Sequence, residues 1–175
     1  MDLKPLIPLI PDFPRPGVGF LDITGVLHHP RAFAWCVGRL ADLARVRGAS
    51  SVVAVESRGF VFGAPVAQQL GVPLVLARKP GKLPGAVHRV DYQTEYSSDA
   101  LHLQRHAPLG ERPWLVDDVL ATGGTLLALA DLLQSHFGVP AIGAGVVVCL
   151  DFLPGAGRLA DRPLPLDALE RYSPA

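Results

Sequence analysis

A chain of 175 residues, 49% hydrophobic and 18% charged, fits one globular domain with room for a sizeable core and is too apolar for disorder. Lys plus Arg equals Asp plus Glu, 16 against 16, so no global field holds a nucleic acid or an anionic membrane, and any anion site must be local. Cys36 and Cys149 are the only cysteines and both stand in apolar surroundings. With no signal sequence, they read as reduced core thiols of a cytoplasmic protein.

The opening MDLKPLIPLIPDF carries Asp2 and three prolines before Asp12, which excludes a signal-peptide core and a membrane helix. His28-His29 precedes Pro30 and reads as a turn. From Pro30 to Arg47 the apolar residues Phe33, Trp35, Val37, Leu40, Leu43 and Val46 recur at helical spacing, and Gly48 closes the helix. SVVAVES (51–57) is a buried β-branched strand, FVFGAPVAQQL a helix ending at Gly71, and VPLVLA (72–77) a second strand. Two short apolar runs joined by a helix make a βαβ unit with parallel strands.

Residues 78–106 break that rhythm. RKPGKLPG is a loop, and AVHRVDY and SSDALHLQ alternate polar and apolar as a hairpin standing off the sheet. PWLVDD (113–118) is again a buried strand, TGGT a turn, LLALADLLQSHF an amphipathic helix and AIGAGVVVCL (141–150) a further strand. The fold class is therefore α/β: an open, mainly parallel twisted sheet flanked by helices, with ligands expected beyond the carboxyl ends of the strands. Both ESRGF and DDVLATGGT fall there.

Two glycine patterns carry no chemistry. Gly81-Lys82 lacks the earlier glycine and the following Ser or Thr of a nucleoside-triphosphatase loop. GAGRLA (155–160) formally fits a dinucleotide fingerprint but follows DFLP rather than a strand, and reads as a turn. LVDDVLATGGT (115–125) is more specific, because strand, acidic pair, small-residue turn and helix come in order. Backbone N–H groups from Ala121, Thr122, Gly123, Gly124 and Thr125 at a helix start would take one phosphate, with the Thr122 and Thr125 hydroxyls adding donors. Carboxylates repel phosphate but accept hydrogen bonds from the cis hydroxyls of a ribose, the part fitted to Asp117 and Asp118. A ribose 5-phosphate answers both halves. The histidines, 28, 29, 88, 102, 106 and 136, have no convincing metal spacing.

LVDDVLATGGT resembles the 5-phosphoribosyl 1-diphosphate (PRPP) signature of the type I phosphoribosyltransferases. IPDFPRPGVGFLDIT (10–24), ESRGFVFGAP (56–65), RKPGKLPG (78–85) and TEY (94–96) are similar, in the same order, to segments of the adenine phosphoribosyltransferase family within it. The resemblance runs from about residue 3 to residue 160. It implies transfer of the phosphoribosyl group from PRPP to adenine, giving AMP and diphosphate, with Mg²⁺ held mainly by the substrate and no direct protein metal site. It further implies a purine-salvage enzyme, a homodimer, and a single domain over 1–175 in which 1–29 supply a base-binding segment and 79–106 a flexible loop and hairpin over the active site.

The same resemblance assigns Ser57, Arg58, Gly59, Lys79 and Lys82 to the diphosphate, leaving Arg78 between this site and a subunit contact. Glu95 becomes the carboxylate that manages the base's proton, with Arg58 beside it in the chemistry and Tyr96 helping to cover the site. Gly19, Phe20 and Leu21 meet the base, Phe20 by stacking. Here the chain departs from the pattern: Gly19 stands where a branched residue is commoner and Leu21 where a basic one is usual, which bears on affinity and strictness of base choice. Two other readings stay open: transfer to hypoxanthine, guanine or xanthine, and a PRPP-binding regulator without turnover.

Overall fold

The computed structural model describes residues 1–13, 15–93 and 98–173. Its centre is a five-stranded, all-parallel sheet in the order β4-β3-β7-β8-β9, built from β3 (Ser51–Val55), β4 (Leu74–Ala77), β7 (Pro113–Leu120), β8 (Ala144–Leu150) and β9 (Leu166–Tyr172). The β-branched runs read from the sequence are the central strands, and β3 and β8 are buried along their whole length. Their unbroken apolar character follows from cover on both faces, as parallel sheets require.

Alternation along the strands sorts the core into two layers. Val52, Trp114 and Val116 face one cluster with Leu40 and Phe62, from α2 (Pro30–Val46) and α3 (Arg58–Leu70). Val53, Val55 and Leu115 face the other, with Leu126, Leu129 and Leu132 of α4 (Gly124–Leu132). The expected helix from Pro30 is present, with His29 as its N-cap, Nδ1 accepting from the Ala32 N–H at 3.3 Å. Trp114 is fully buried, and both cysteines are buried and free. Burial raises each thiol to about 11, so neither is a thiolate at neutral pH.

Near the N-terminus, β1 (Leu9–Ile10) pairs antiparallel with β2 (Phe20–Leu21), ahead of the short α1 (Thr24–Leu27). Among the described residues, no helix is long and apolar enough to cross a membrane.

Three expectations need correction. The hairpin of β5 (Val87–Gln93) and β6 (Ser98–Gln104) does not stand off the sheet: Leu101 and Leu103 are buried in the α4 layer, and an Arg78–His102 bridge ties it to the end of β4. Its alternation is that of a strand pair with one face on the core. The helix after the turn is not amphipathic in the ordinary sense, since Leu126, Leu127, Ala128, Leu129, Leu132 and Leu133 are all buried; the hairpin covers the flank that solvent would otherwise meet. It ends in a π-helical turn, Leu133–Phe137. Finally, GAGRLA is a short helix, α5 (Gly155–Ala160), and β9 follows it unannounced by the sequence reading.

Candidate functional site

Because β3 and β7 are neighbours, the segments leaving their carboxyl ends meet, and between them lies a cavity of about 250 Å³. Glu56, Ser57 and Arg58 line one side and Asp117 through Leu126 the other. Lys79, Tyr92 and Asp99 close the third side from the loop after β4 and from the hairpin.

Asp117 and Asp118 sit within β7, Asp118 almost wholly buried and Asp117 half-buried. The Asp118 N–H donates to Asp117 Oδ1 at 2.9 Å. Burial first, and the adjacent Asp118 charge second, push the Asp117 carboxyl well above the usual carboxylate range. Arg58 Nε lies 2.7 Å from Asp118 Oδ2 as an ion pair, yet that buried oxygen has no aligned hydrogen bond and stays open as an acceptor.

Next comes the turn. Ala121 to Thr125 all line the cavity, and Gly123, at φ 78°, is the N-cap of α4. A side chain at Gly123 would be strained by that φ and would lie 2.9 Å from Leu159 Cδ1, so glycine is required twice over. The orphan N–H groups of the first turn of α4 therefore open onto the cavity with no acidic residue among them. Underneath, α5 holds the turn's carbonyls: the Gly155 N–H donates to Ala121 O at 3.0 Å and Arg158 Nη1 to Thr122 O at 2.8 Å. A Cβ on Gly155 would stand 2.2 Å from the Ala121 oxygen. The motif read as an idle turn is the floor under the phosphate-type loop.

Opposite lies the basic wall. Glu56 organises it: its Oε2 accepts from the Lys79 N–H at 2.8 Å, and its two oxygens take the Arg78 guanidinium at 3.2 and 3.3 Å. Burial raises the Glu56 carboxyl, but those Arg78 and Lys79 hydrogen bonds outweigh it and leave it lowered. Arg78 also donates to the Lys82 carbonyl at 3.0 Å, so it works as a brace for its own loop. Lys79 Nζ reaches into the cavity and pairs with Asp99 Oδ2 at 2.9 Å, while the Tyr92 phenol interacts with both Asp99 and Thr125.

Of the residues singled out from the sequence, Asp117, Asp118, the whole turn, Ser57, Arg58 and Lys79 converge on this cavity. Gly59 does not line it: it is buried, and a Cβ there would meet Val116 O at 2.8 Å, so its smallness seats α3 against β7. Lys82 is exposed and outside the lining. Phe20 meets the site through Arg58, whose Cζ lies 5.2 Å from its ring centroid, and Phe13 packs edge-on at 5.0 Å. Leu21 points into the core, 7% exposed, and leaves only its backbone for a ligand. Gly19 lies against Leu9, where a Cβ would come within 3.0 Å of Cδ1. Glu95 and Tyr96 lie outside the described residues. Tyr92 and Asp99 were missed; their alternation placed them on a hairpin, but only its docking on α4 shows which face meets the cavity.

Residues 31–165 match the phosphoribosyl transferase domain. The chain belongs to the phosphoribosyltransferase family. Within it, the relatives are adenine phosphoribosyltransferases: that of Acaryochloris marina is 46% identical over 173 residues, covering 98% of this chain and 100% of its own. Among solved structures, the Thermoanaerobacter pseudethanolicus enzyme superposes with a TM-score of 0.89 at 40% identity, covering 97% of this chain and 98% of its own. The Giardia lamblia enzyme, solved with 9-deazaadenine, gives 0.89 at 34% identity, covering 99% and 97%. The residues that line the cavity all fall within the matched span, 31–165.

Proposed function

We propose that this protein is an adenine phosphoribosyltransferase of purine salvage, transferring the 5-phosphoribosyl group of PRPP to adenine and releasing AMP and diphosphate. The observation that carries the reading is one cavity holding an acidic pair, a glycine turn at a helix N-terminus and, on the opposite wall, Arg58 and Lys79. The 5′-phosphate sits on the N–H groups of Ala121 to Thr125, the ribose hydroxyls donate to Asp117 and Asp118, and the diphosphate lies toward Ser57, Arg58 and Lys79. Each charge-assisted bond there contributes about 1.5–3 kcal/mol. Lys82, outside the lining, acts on the diphosphate only if its loop moves.

In the reaction the bond from the anomeric carbon to the diphosphate oxygen breaks with its electron pair going to diphosphate, and base N9 bonds to that carbon. Positive charge grows on the sugar as these bonds exchange, and Asp117 and Asp118, accepting from its hydroxyls, offset it. Glu95 meets the base at its imidazole edge and manages the proton that leaves the base as N9 attacks, and Arg58 offsets charge on the departing diphosphate. Mg²⁺ bound by PRPP would supply charge neutralisation at the diphosphate. The hard carboxylate oxygens of Asp117 and Asp118 would suit such a cation, and PRPP would supply most of its ligands, as the family resemblance implies.

Adenine is favoured as the base because the Giardia relative holds an adenine analogue and because the Gly19, Phe20 and Leu21 backbone can read its edge whatever the side chains. The family resemblance extends the reading to a cytoplasmic homodimer. Diphosphate release measured with Mg²⁺ and PRPP against adenine, hypoxanthine, guanine, xanthine and uracil tests it. Turnover with adenine is expected; turnover with another base alone overturns the substrate, and none with any base overturns the reading.

A further inference from the structure

Among the described residues, the two cations that line the cavity, Arg58 and Lys79, are matched by Asp118 and Asp99, and Arg78 behind them is matched by Glu56. The three pairs are not equivalent. Arg78 is held at Nε, Nη1 and Nη2 by Glu56 and the Lys82 carbonyl, and so is committed to the loop. The Asp118 partner of Arg58 belongs to the sugar end of the cavity. Asp99, by contrast, comes from the hairpin and puts a negative group at Lys79, the one lysine lining the cavity among the described residues.

An anion cannot enter beside that carboxylate without a cost. Either Asp99 gives up Lys79 or the incoming diphosphate shares it at like-charge distance. We propose that Asp99 is an affinity-setting residue for diphosphate: it competes with diphosphate for Lys79 and so weakens diphosphate binding and speeds its release after transfer. This deepens the phosphoribosyltransferase reading and rests on it.

Several features suit such a competitor. The pair is at the surface of the cavity, with the Lys79 side chain 54% and the Asp99 side chain 25% exposed, so it is weak enough to exchange. The Asp99 hydrogen bond and charge hold the Lys79 ammonium above its usual value, so both groups are ionised across the working pH range and the competition is between full charges. Burial raises the Asp99 carboxyl, but Lys79 and the Ala100 N–H outweigh that and leave it lowered. Tyr92, cross-strand from Asp99 in the hairpin register and beside Thr125, gives the released carboxylate a hydroxyl to return to and links its position to the phosphate turn.

The test is calorimetric titration with inorganic diphosphate and Mg²⁺ of the wild type, Asp99→Asn, Asp99→Ser, Lys79→Ala and the Lys79→Ala/Asp99→Asn double variant, with AMP titrated as the control for an intact site. Either Asp99 variant should bind diphosphate about 3- to 10-fold more tightly, a range set by the strength of a partly exposed ion pair. Lys79→Ala should weaken diphosphate binding and erase the gain, while AMP affinity stays the same throughout. Diphosphate affinity unchanged or weakened in both Asp99 variants, with Lys79→Ala still weakening it, overturns the competition and leaves the transferase reading standing. Diphosphate affinity unchanged in Lys79→Ala removes Lys79 from the diphosphate subsite, and the proposal and that part of the transferase reading fail together.

Discussion

The two walls of the cavity are built in opposite ways. The acidic-pair and turn wall is one unbroken stretch, Asp117 to Thr125, in which a strand end, a left-handed glycine and a helix start follow one another along the chain. The basic wall is assembled from the end of β3, the loop after β4 and the hairpin, and carboxylates hold it together: Glu56 bridges to Arg78 and Lys79 across more than 20 positions of sequence, and Asp99 reaches Lys79. A wall written locally is fixed by backbone geometry, whereas one written non-locally is fixed by ion pairs that a charged ligand can itself disturb. In the proposed function the first wall takes the sugar phosphate and the second the diphosphate.

The largest effect expected from breaking this contrast is at the floor of the local wall. Gly155→Ala drives a methyl group into the Ala121 carbonyl and should move the turn. Misplacement of about an ångström costs on the order of 100-fold in rate, so kcat/KM for PRPP should fall about 10- to 100-fold. Overpacking should also cost about 1–3 kcal/mol of stability, several degrees in Tm, read by calorimetry. Wild-type kinetics in this variant would mean that α5 does not position the turn.

On the assembled wall, Glu56→Gln should raise KM for PRPP about 3- to 10-fold while leaving AMP binding nearly unchanged, since it loosens Lys79 and Arg78 without touching the phosphate turn. The Glu56 carboxyl is lowered in the folded protein, so its contribution to stability is present above the ordinary glutamate range and is lost as pH falls through the folded-state value. Steady-state kinetics with PRPP varied separates this outcome from a loss confined to turnover.

The smallest effect sharpens the comparison by its sign. Asp117 is raised by burial and by Asp118, so its ionised form costs stability above the folded-state value, and the cost disappears as pH falls below the ordinary aspartate range. Asp117→Asn should therefore stabilise the ligand-free protein at neutral pH by about 0.5–1 kcal/mol, a gain that shrinks on acidification. Thermal melts across pH 3 to 8 would read it. The same elevation should make PRPP binding by the wild type weaken on acidification before an ordinary aspartate would protonate.

What the sequence made legible follows the same division. β3, α3, β4, β7 and the turn into α4 were readable because β-branched runs, helical spacing and a glycine turn are local signals, and with them came Asp117, Asp118 and residues 121–125 of the cavity. Arg58 and Lys79 were reached only through resemblance to a family. Asp99 and Tyr92 lay beyond both routes, since which face of the hairpin meets the cavity depends on Leu101 and Leu103 docking on α4. Gly155 and Arg158 escaped because a short helix packing under a loop has no periodic signature. The amphipathic reading of α4 failed for a related reason: the hairpin that buries its outer flank is distant in sequence.

Titration of Mg²⁺-PRPP into the protein without a base, by calorimetry, in the wild type and in the Asp117→Asn/Asp118→Asn double variant, is the experiment to do first. Saturable binding of one PRPP per chain, weakened at least about 100-fold in the double variant by loss of two charge-assisted acceptors, is the expected result. Absence of binding in the wild type, or equal affinity in the two proteins, would contradict the assignment of the sugar to the acidic pair.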